Sequence, residues 1–467
     1  MRWLLPLGLL VLSACSSSTP EATPDAGPDT GTSPTEAGTG PFFHEDVEPI
    51  VQAHCQTCHR DGGIAPFSML TYASTKSWAE AMALEVEQRT MPPWGAFDTD
   101  TCKHRLGFAD DMRLSQKEID TISAWAKNGA QEGDPKKAPP PKTFAKEMLP
   151  GATDSLSYPP YSVTGAGKDQ LRCFVVDPKL VEPTWIDGTH VVPGDPRVVH
   201  HVLVYTDPKG ESRAKADPVT GGYECFGGPQ VSGTNLLLAW APGVPASQYP
   251  AGVGLLLPAG ALLVVQVHYH PHSVETVTDA TTVQLRRAKE APTWAATIRL
   301  IGNAPSAARG LLPGTDDPAS GPAFLIPANK SAHEETMEFT FPASAPPVKI
   351  ASVGSHMHWL GKDLRVDIER PAARGADPAK ECLLETPRYD FNWQRGYAYA
   401  GPIDGLPTAQ AGDKLRVRCT YDNSTGNRAM MKALAEKKIT SPIDVSLGEE
   451  TTDEMCLGAF VFYAKLK

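Results

Sequence analysis

Three groups of side chains in this sequence have types and spacings that can hold redox-active metals. The first is Cys55-Gln56-Thr57-Cys58-His59, a CxxCH motif. Its two thiols can add across the vinyl groups of a haem, and the adjacent imidazole then reaches the iron. His59 is the expected proximal ligand. Met91, in Thr90-Met91-Pro92-Pro93-Trp94, is the expected distal one. Two prolines stiffen the loop beyond it, and methionine opposite histidine raises the reduction potential. Met82 and Met112 are its rivals, each on a helix face or near a helix start where a core role is expected.

The second group is His200, His201 and His268, and the third is His356, His358 and Met455. Imidazole suits zinc, copper, iron or nickel, whereas a thioether is a soft ligand that favours Cu(I). Three-ligand sets leave positions open for catalysis or redox work, because a closed structural site needs a fourth protein ligand. His356 and His358 stand two apart, so on a strand they point to one face. His200 and His201 are adjacent and face opposite ways. Joint chelation therefore needs a bulge, or use of the nearer ring nitrogen Nδ1 by at least one ring. His268 and His270 share a face at the end of an apolar strand, and either can be the third ligand. A haem and two coppers on one exported chain point to an oxidoreductase.

The elements that must position these groups follow from composition and periodicity. Residues 1–14 read as a lipoprotein signal, with Arg2, a short apolar run from Leu4 to Leu12 and the lipobox Leu12-Ser13-Ala14-Cys15. The run is too short to span a bilayer, which takes about 20 residues. Cys15 is expected to carry lipid and to anchor an exported chain to a bacterial membrane. Residues 15–40 lack large apolar side chains and are expected to form a disordered tether. Residues 41–135 show three helical patterns. Val47, Ile50, Val51 and His54 share one face. Trp78, Met82, Leu84 and Val86 mark a second helix. Ser115 with Glu118 forms a capping box ahead of Ile119, Ile122, Trp125 and Ala126, and Gly129 stops that third helix. Residues 136–150, with Lys136 to Lys142 reading KKAPPPK, are a proline-rich linker. Beyond it helix periodicity gives way to short β-branched runs separated by Gly, Pro and Asp turns. The expected fold is thus a small all-α cytochrome c domain followed by two tandem all-β antiparallel sandwiches, jelly-roll-like, over 151–291 and 292–467. A length of 467 residues accords with about three domains. A net charge of −11 argues against nucleic acid as a partner.

The segments VVHHVLVY, LLVVQVHYHP, SHMHWLGK and TTDEMCLGAFVFY occur in this order and resemble the copper type II, ascorbate-dependent monooxygenases, the peptidylglycine α-hydroxylating and dopamine β-monooxygenase family. The resemblance spans about 165–467. It implies an electron-transfer copper on His200, His201 and His268, and a catalytic copper on His356, His358 and Met455. It implies O2 and a small organic molecule as substrates, with one oxygen atom inserted into a C–H bond. Two electrons must come from an external donor, a redox protein or small reductant, and the haem is suited to pass them on in place of free ascorbate.

The resemblance also pairs Cys173 with Cys225 and Cys419 with Cys456. Nine cysteines, less Cys15 and the CxxC pair, leave six, so Cys102 and Cys382 remain and are expected to pair in an oxidising compartment. The sequence departs from the peptide-hydroxylating pattern at three places. Gly354 stands where that enzyme has a substrate-binding arginine, and Leu457 and Ala459 stand where it has an asparagine and a tyrosine. A buried substrate carboxylate would lack a charged partner, so the peptide substrate is not carried over and a less polar one fits better. His270 and His272 have no required role in the pattern, and Gln266 is either part of a polar network between the sites or a plain strand residue. Two other classes compete: a periplasmic haem/copper electron-transfer protein without oxygenase activity, and a copper-sequestering lipoprotein. O2 consumption coupled to product separates them.

Overall fold

The computed structural model describes residues 40–61, 63, 65–144, 147–165, 169–242, 244–269, 275–448, 450 and 452–467. The expected signal, Cys15 and nearly all of the tether lie outside the described residues, as do His270 and His272.

Local signals place the helices near the CxxCH motif. Ser115 Oγ accepts the Glu118 N–H at 3.3 Å, and Glu118 Oε2 accepts the Ser115 N–H at 2.7 Å. This box starts the helix Gln116–Lys127, which buries Ile119, Ile122 and Trp125. Gly129, at φ +80°, supplies the left-handed turn after it. The helix Glu48–His54 buries Ile50 and Val51 and delivers Cys55 at its C-terminal end. With Ala79–Glu87 these helices enclose a local core of Phe43, Val47, Met82, Ile122 and Trp125.

The expected fold needs correction in two respects. No separate small all-α domain forms: Pro41–Lys467 is one compact unit, and its main architecture is β. Residues 94–113 carry no helix, and Trp94, Ala96 and Phe108 sink into the main β core. Phe108 bridges to Tyr399, and Cys102 is bonded to Cys382. The periodicity reported the helices but not where the chain between them packs. The segment after them is also docked, since Lys142 Nζ donates to the Gln52 carbonyl at 3.0 Å.

Nor are there two independent antiparallel sandwiches. One ten-stranded sheet runs through both halves in the order Asp154–Ser157, Thr282–Arg287, Thr184–Val192, Val253–Leu257, Trp294–Gly302, Leu457–Lys465, Val348–His356, Gly396–Ala398, with two short strands attached. Val253–Leu257 and Trp294–Gly302 pair in parallel across the expected boundary at 291/292. Alternation marks strands but does not name their partners. A five-stranded sheet (Gly222–Glu224, Gln170–Val176, Leu262–Tyr269, Val199–Asp207, Asn235–Trp240) accompanies the first half. A four-stranded one (His333–Thr340, Lys414–Tyr421, Gly361–Glu369, Lys380–Thr386) accompanies the second.

Three disulfides close the unit: Cys173–Cys225, Cys419–Cys456 and Cys102–Cys382, with Cα atoms 5.7, 5.8 and 5.4 Å apart. Among the described residues no helix is long and apolar enough to cross a membrane.

Candidate metal centres

His201 and His268 stand opposite one another on neighbouring strands of the five-stranded sheet. The register then slips, so that Tyr269 faces Val199 and His200 is left in a bulge. The bulge lets adjacent histidines serve one point. His201 Nδ1 lies 3.2 Å from His200 Nδ1 and 3.3 Å from His268 Nδ1. Nitrogens held tetrahedrally at about 2.0–2.1 Å from one ion would stand about 3.3 Å apart, so the three rings are spaced as a ligand set. His268 Nε2 meets Asp169 Oδ2 at 3.2 Å. A proton on that nitrogen frees Nδ1 for a metal. Burial, followed by the nearby imidazoles of His268, His200 and His356, holds the His201 pKa well below its ordinary value, against a smaller pull from Asp169.

His356 closes the strand Val348–His356, opposite Leu457 of the last strand. Its Nδ1 lies 2.6 Å from Gln394 Oε1, and His358 Nδ1 lies 3.1 Å from the Asp453 carbonyl. Each acceptor takes an Nδ1 proton and leaves Nε2 free as a ligand atom. The two rings are perpendicular, with centroids 5.3 Å apart. Burial and the neighbouring His358 push the His356 pKa down to about 4, partly offset by Gln394. Met455 is buried, two residues before the partner of His356.

Glu454, fully buried, ties this site together. Its carboxylate accepts the N–H groups of His358 at 2.8 Å, Leu360 at 2.7 Å and Met455 at 3.1 Å. Burial pushes its pKa up to about 8, against the pull of those donors. A Cβ at Gly354 would come 3.1 Å from the Arg395 carbonyl and 3.4 Å from Ala459 Cβ. The strand Gly396–Ala398, which pairs at Ser352–Gly354, therefore fills the place an arginine would need.

At the CxxCH motif, the Cys58 and His59 N–H groups donate to the Cys55 carbonyl at 3.1 and 2.9 Å. Cys55 and Cys58 remain free thiols, although the other described cysteines are bonded. Burial, with Cys58 adding to it, pushes the Cys55 thiol up to about 12. That is the opposite of the lowered thiol pKa of a redox-active CxxC. The His59 ring lies 4.4 Å from Phe67, which stacks on Trp78 at 4.0 Å. Trp78 and Leu84 are 41% and 52% exposed. Free thiols next to a histidine whose ring meets the Phe67–Trp78 stack fit a haem.

Of the three methionines weighed as distal ligand, Met82 is in the helical core and Met112 Sδ accepts from Arg395 Nη1 at 3.1 Å. Met91 is half-buried and in neither cluster. Gln266 Nε2 reaches the Cys225 carbonyl at 3.4 Å, beside a disulfide rather than between the sites. Sequence reasoning missed Gln394 and Asp169, which no local pattern marks. It also missed Glu454, although a carboxylate opening an apolar strand beside a ligand methionine was a usable signal.

No family model and no curated protein matches the chain. Solved structures with some likeness include the major capsid protein P2 of bacteriophage PM2, at 12% identity over 68% of this chain and 98% of that one, TM-score 0.23. Others are the VP2 subviral particle of infectious bursal disease virus, at 10% over 70% and 74%, TM-score 0.18, and allantoicase, at 9% over 56% and 81%, TM-score 0.14. Likeness at these scores carries no argument about what this chain does.

Proposed function

We propose that this chain is a copper-dependent monooxygenase. It inserts one oxygen atom of O2 into a C–H bond of a small organic substrate and draws electrons through a haem c on Cys55, Cys58, His59 and Met91. What supports this reading is the pair of ligand sets: three Nδ1 atoms in one, and in the other two freed Nε2 atoms with a buried methionine whose N–H shares the Glu454 carboxylate with that of His358.

In this reading His200, His201 and His268 hold one copper, and His356, His358 and Met455 hold the other. Bound copper supplies one-electron chemistry and, at the three-ligand sites, positions open to O2 or substrate. The protein's own part is positional. Gln394 and the Asp453 carbonyl fix the tautomers of His356 and His358. Glu454 ties the turn after His356 to the Met455 segment that leads into the last strand. Gly354, Leu457 and Ala459 offer no cation, which favours a substrate without a carboxylate at that point. The overall balance is O2 with the substrate, two electrons and two protons, giving the alcohol and water. We also propose that the chain is exported and lipid-anchored at Cys15. Three disulfides support an oxidising compartment.

The test is metal analysis of the purified chain, then turnover under 18O2 with a mixture of organic metabolites screened for labelled products. Two coppers and one haem per chain, with label in an alcohol matched to O2 uptake, are expected. Redox cycling without labelled product would favour an electron relay, copper binding without O2 use would favour sequestration, and either would overturn the proposal.

A further inference from the structure

The hydrogen bonds, ion pairs and disulfide that join residues 41–134 to the later sheets land, among the described residues, on residues 365–405. Arg388 Nη1 donates to the Gln88 carbonyl at 2.7 Å, and the Gly95 N–H donates to Tyr397 Oη at 3.0 Å. Arg105 pairs with Asp377 and Glu381, and Cys102 with Cys382. Of these later residues, Gly396–Ala398 pairs with Ser352–Gly354 on the strand that ends at His356, and Gln394 meets His356 itself, whereas Asp377, Glu381 and Cys382 lie toward the far end of the four-stranded sheet. The His200 set is backed instead by Tyr269 and Tyr158, whose hydroxyls gather on Asp279.

Within this contact one line of residues is continuous. Met91 is separated from Trp94 by two prolines. The Trp94 indole is buried, with its Nε1 donating to the Ala96 carbonyl at 2.7 Å. The Arg395 guanidinium lies 4.9 Å over that indole and 5.7 Å over Tyr397. Its Nε is buried without a hydrogen-bond partner, so the aromatic faces and Met112 are what hold it. Arg395 is bonded in sequence to Gln394, whose Oε1 receives the His356 Nδ1 proton.

We infer that Trp94, Arg395 and Gln394 form the contact path by which the haem motif addresses the His356–His358–Met455 site, and not the His200–His201–His268 site. The inference rests on the haem and copper reading above. Electron tunnelling weakens steeply across through-space gaps and runs better through covalent bonds, hydrogen bonds and close ring contacts, and this line is built of those. In the step one electron leaves the ferrous haem, which becomes ferric, and Cu(II) at the His356 site becomes Cu(I). No bond forms or breaks and no proton must move. Gln394 and Arg395 are positioning residues in this scheme, since neither need touch O2 or substrate.

The test uses the holoprotein under argon, with oxidised copper and one electron equivalent added per haem. Haem reoxidation is followed by its visible bands and copper reduction by electron paramagnetic resonance. The fast reoxidation phase should persist in His201→Ala and vanish in His356→Ala. In Arg395→Lys, which keeps the charge but loses the planar stack, it should slow about tenfold, equal to about 1.4 kcal/mol in the barrier, with haem potential and copper content unchanged. Trp94→Leu, which removes the stacked indole without touching a copper ligand, gives a second reading if Arg395→Lys folds poorly. Loss of the phase in His201→Ala with retention in His356→Ala would overturn the inference, as would wild-type rates in both Arg395→Lys and Trp94→Leu. A preparation that binds no haem, or a single copper, would overturn the underlying reading together with it, and the metal analysis shows which has failed.

Discussion

In the His200 cluster the ligands come from two paired strands and one bulge, and their Nδ1 atoms already stand 3.2–3.3 Å apart. In the His356 cluster the two imidazoles share a strand end, but their order comes from elsewhere. Gln394, the Asp453 carbonyl and Glu454 aim the rings and hold the turn. The first site is thus spaced mainly by sheet register, with Asp169 orienting His268 alone, and in the second each imidazole and the turn between them depend on partners distant in sequence. A register-built site tolerates loss of a neighbour, whereas an assembled one fails when any of its partners is removed. The two should therefore respond differently to damage.

The sharpest break in this comparison is ligand removal. His201→Ala should lower copper content from two per chain to one, leaving the second site loaded. Met455→Ile should keep the first copper and abolish product formation. Copper counting by atomic spectroscopy alongside turnover decides this, and loss of both coppers in either variant would show that the sites are not independent.

Glu454→Ala should have the next largest effect. It leaves three N–H groups without their buried acceptor, each worth about 1–3 kcal/mol. Removing such support typically lowers metal affinity by about 10–100-fold. The loss should fall on the His356 site alone, with Glu454→Gln milder. Competitive copper titration would contradict the comparison if both sites weakened equally.

Met91→Ala reaches only the haem motif. The weak sulfur-to-iron charge-transfer band of the oxidised haem should disappear and its potential should fall, while both copper signals stay as they were. An unchanged haem spectrum would return the choice to Met82 or Met112.

What the sequence disclosed divides along the same line. Short-range structure was legible: the Ser115–Glu118 box, and the need for a bulge or Nδ1 at His200-His201, where the structure has both, while the strand expected to carry both His356 and His358 ends at His356. The disulfide Cys102–Cys382, 280 residues apart, followed only from counting cysteines. The long-range partners were not legible. Nothing near Gln394 marks it as facing His356, and nothing near Val253 announces a parallel partner at Trp294. Such pairings are set by how whole sheets stack, so the separate helical domain expected from local pattern does not form, and the two expected tandem sandwiches share one continuous sheet.

A smaller difference separates the two halves in how they bury polarity. Beneath the first site the buried hydroxyls of Tyr158 and Tyr269 stay neutral, their pKa values raised by burial and by Asp279. In the second half His333 lies between two carboxylates, Nε2 2.9 Å from Glu335 Oε1 and Nδ1 3.2 Å from Asp316 Oδ2. Burial lowers its pKa, but the two carboxylates outweigh that, and the net shift is upward from the ordinary 6.5. A histidine whose pKa is raised on folding contributes stability that is complete below its unfolded value and is lost as pH rises through the folded one. Thermal stability should therefore decline as pH is raised above the ordinary histidine value of 6.5, and His333→Gln should flatten that decline while leaving copper content unchanged. Scanning calorimetry at matched ionic strength checks this. An identical slope in His333→Gln would mean that the ion pair does not carry the second half's pH dependence.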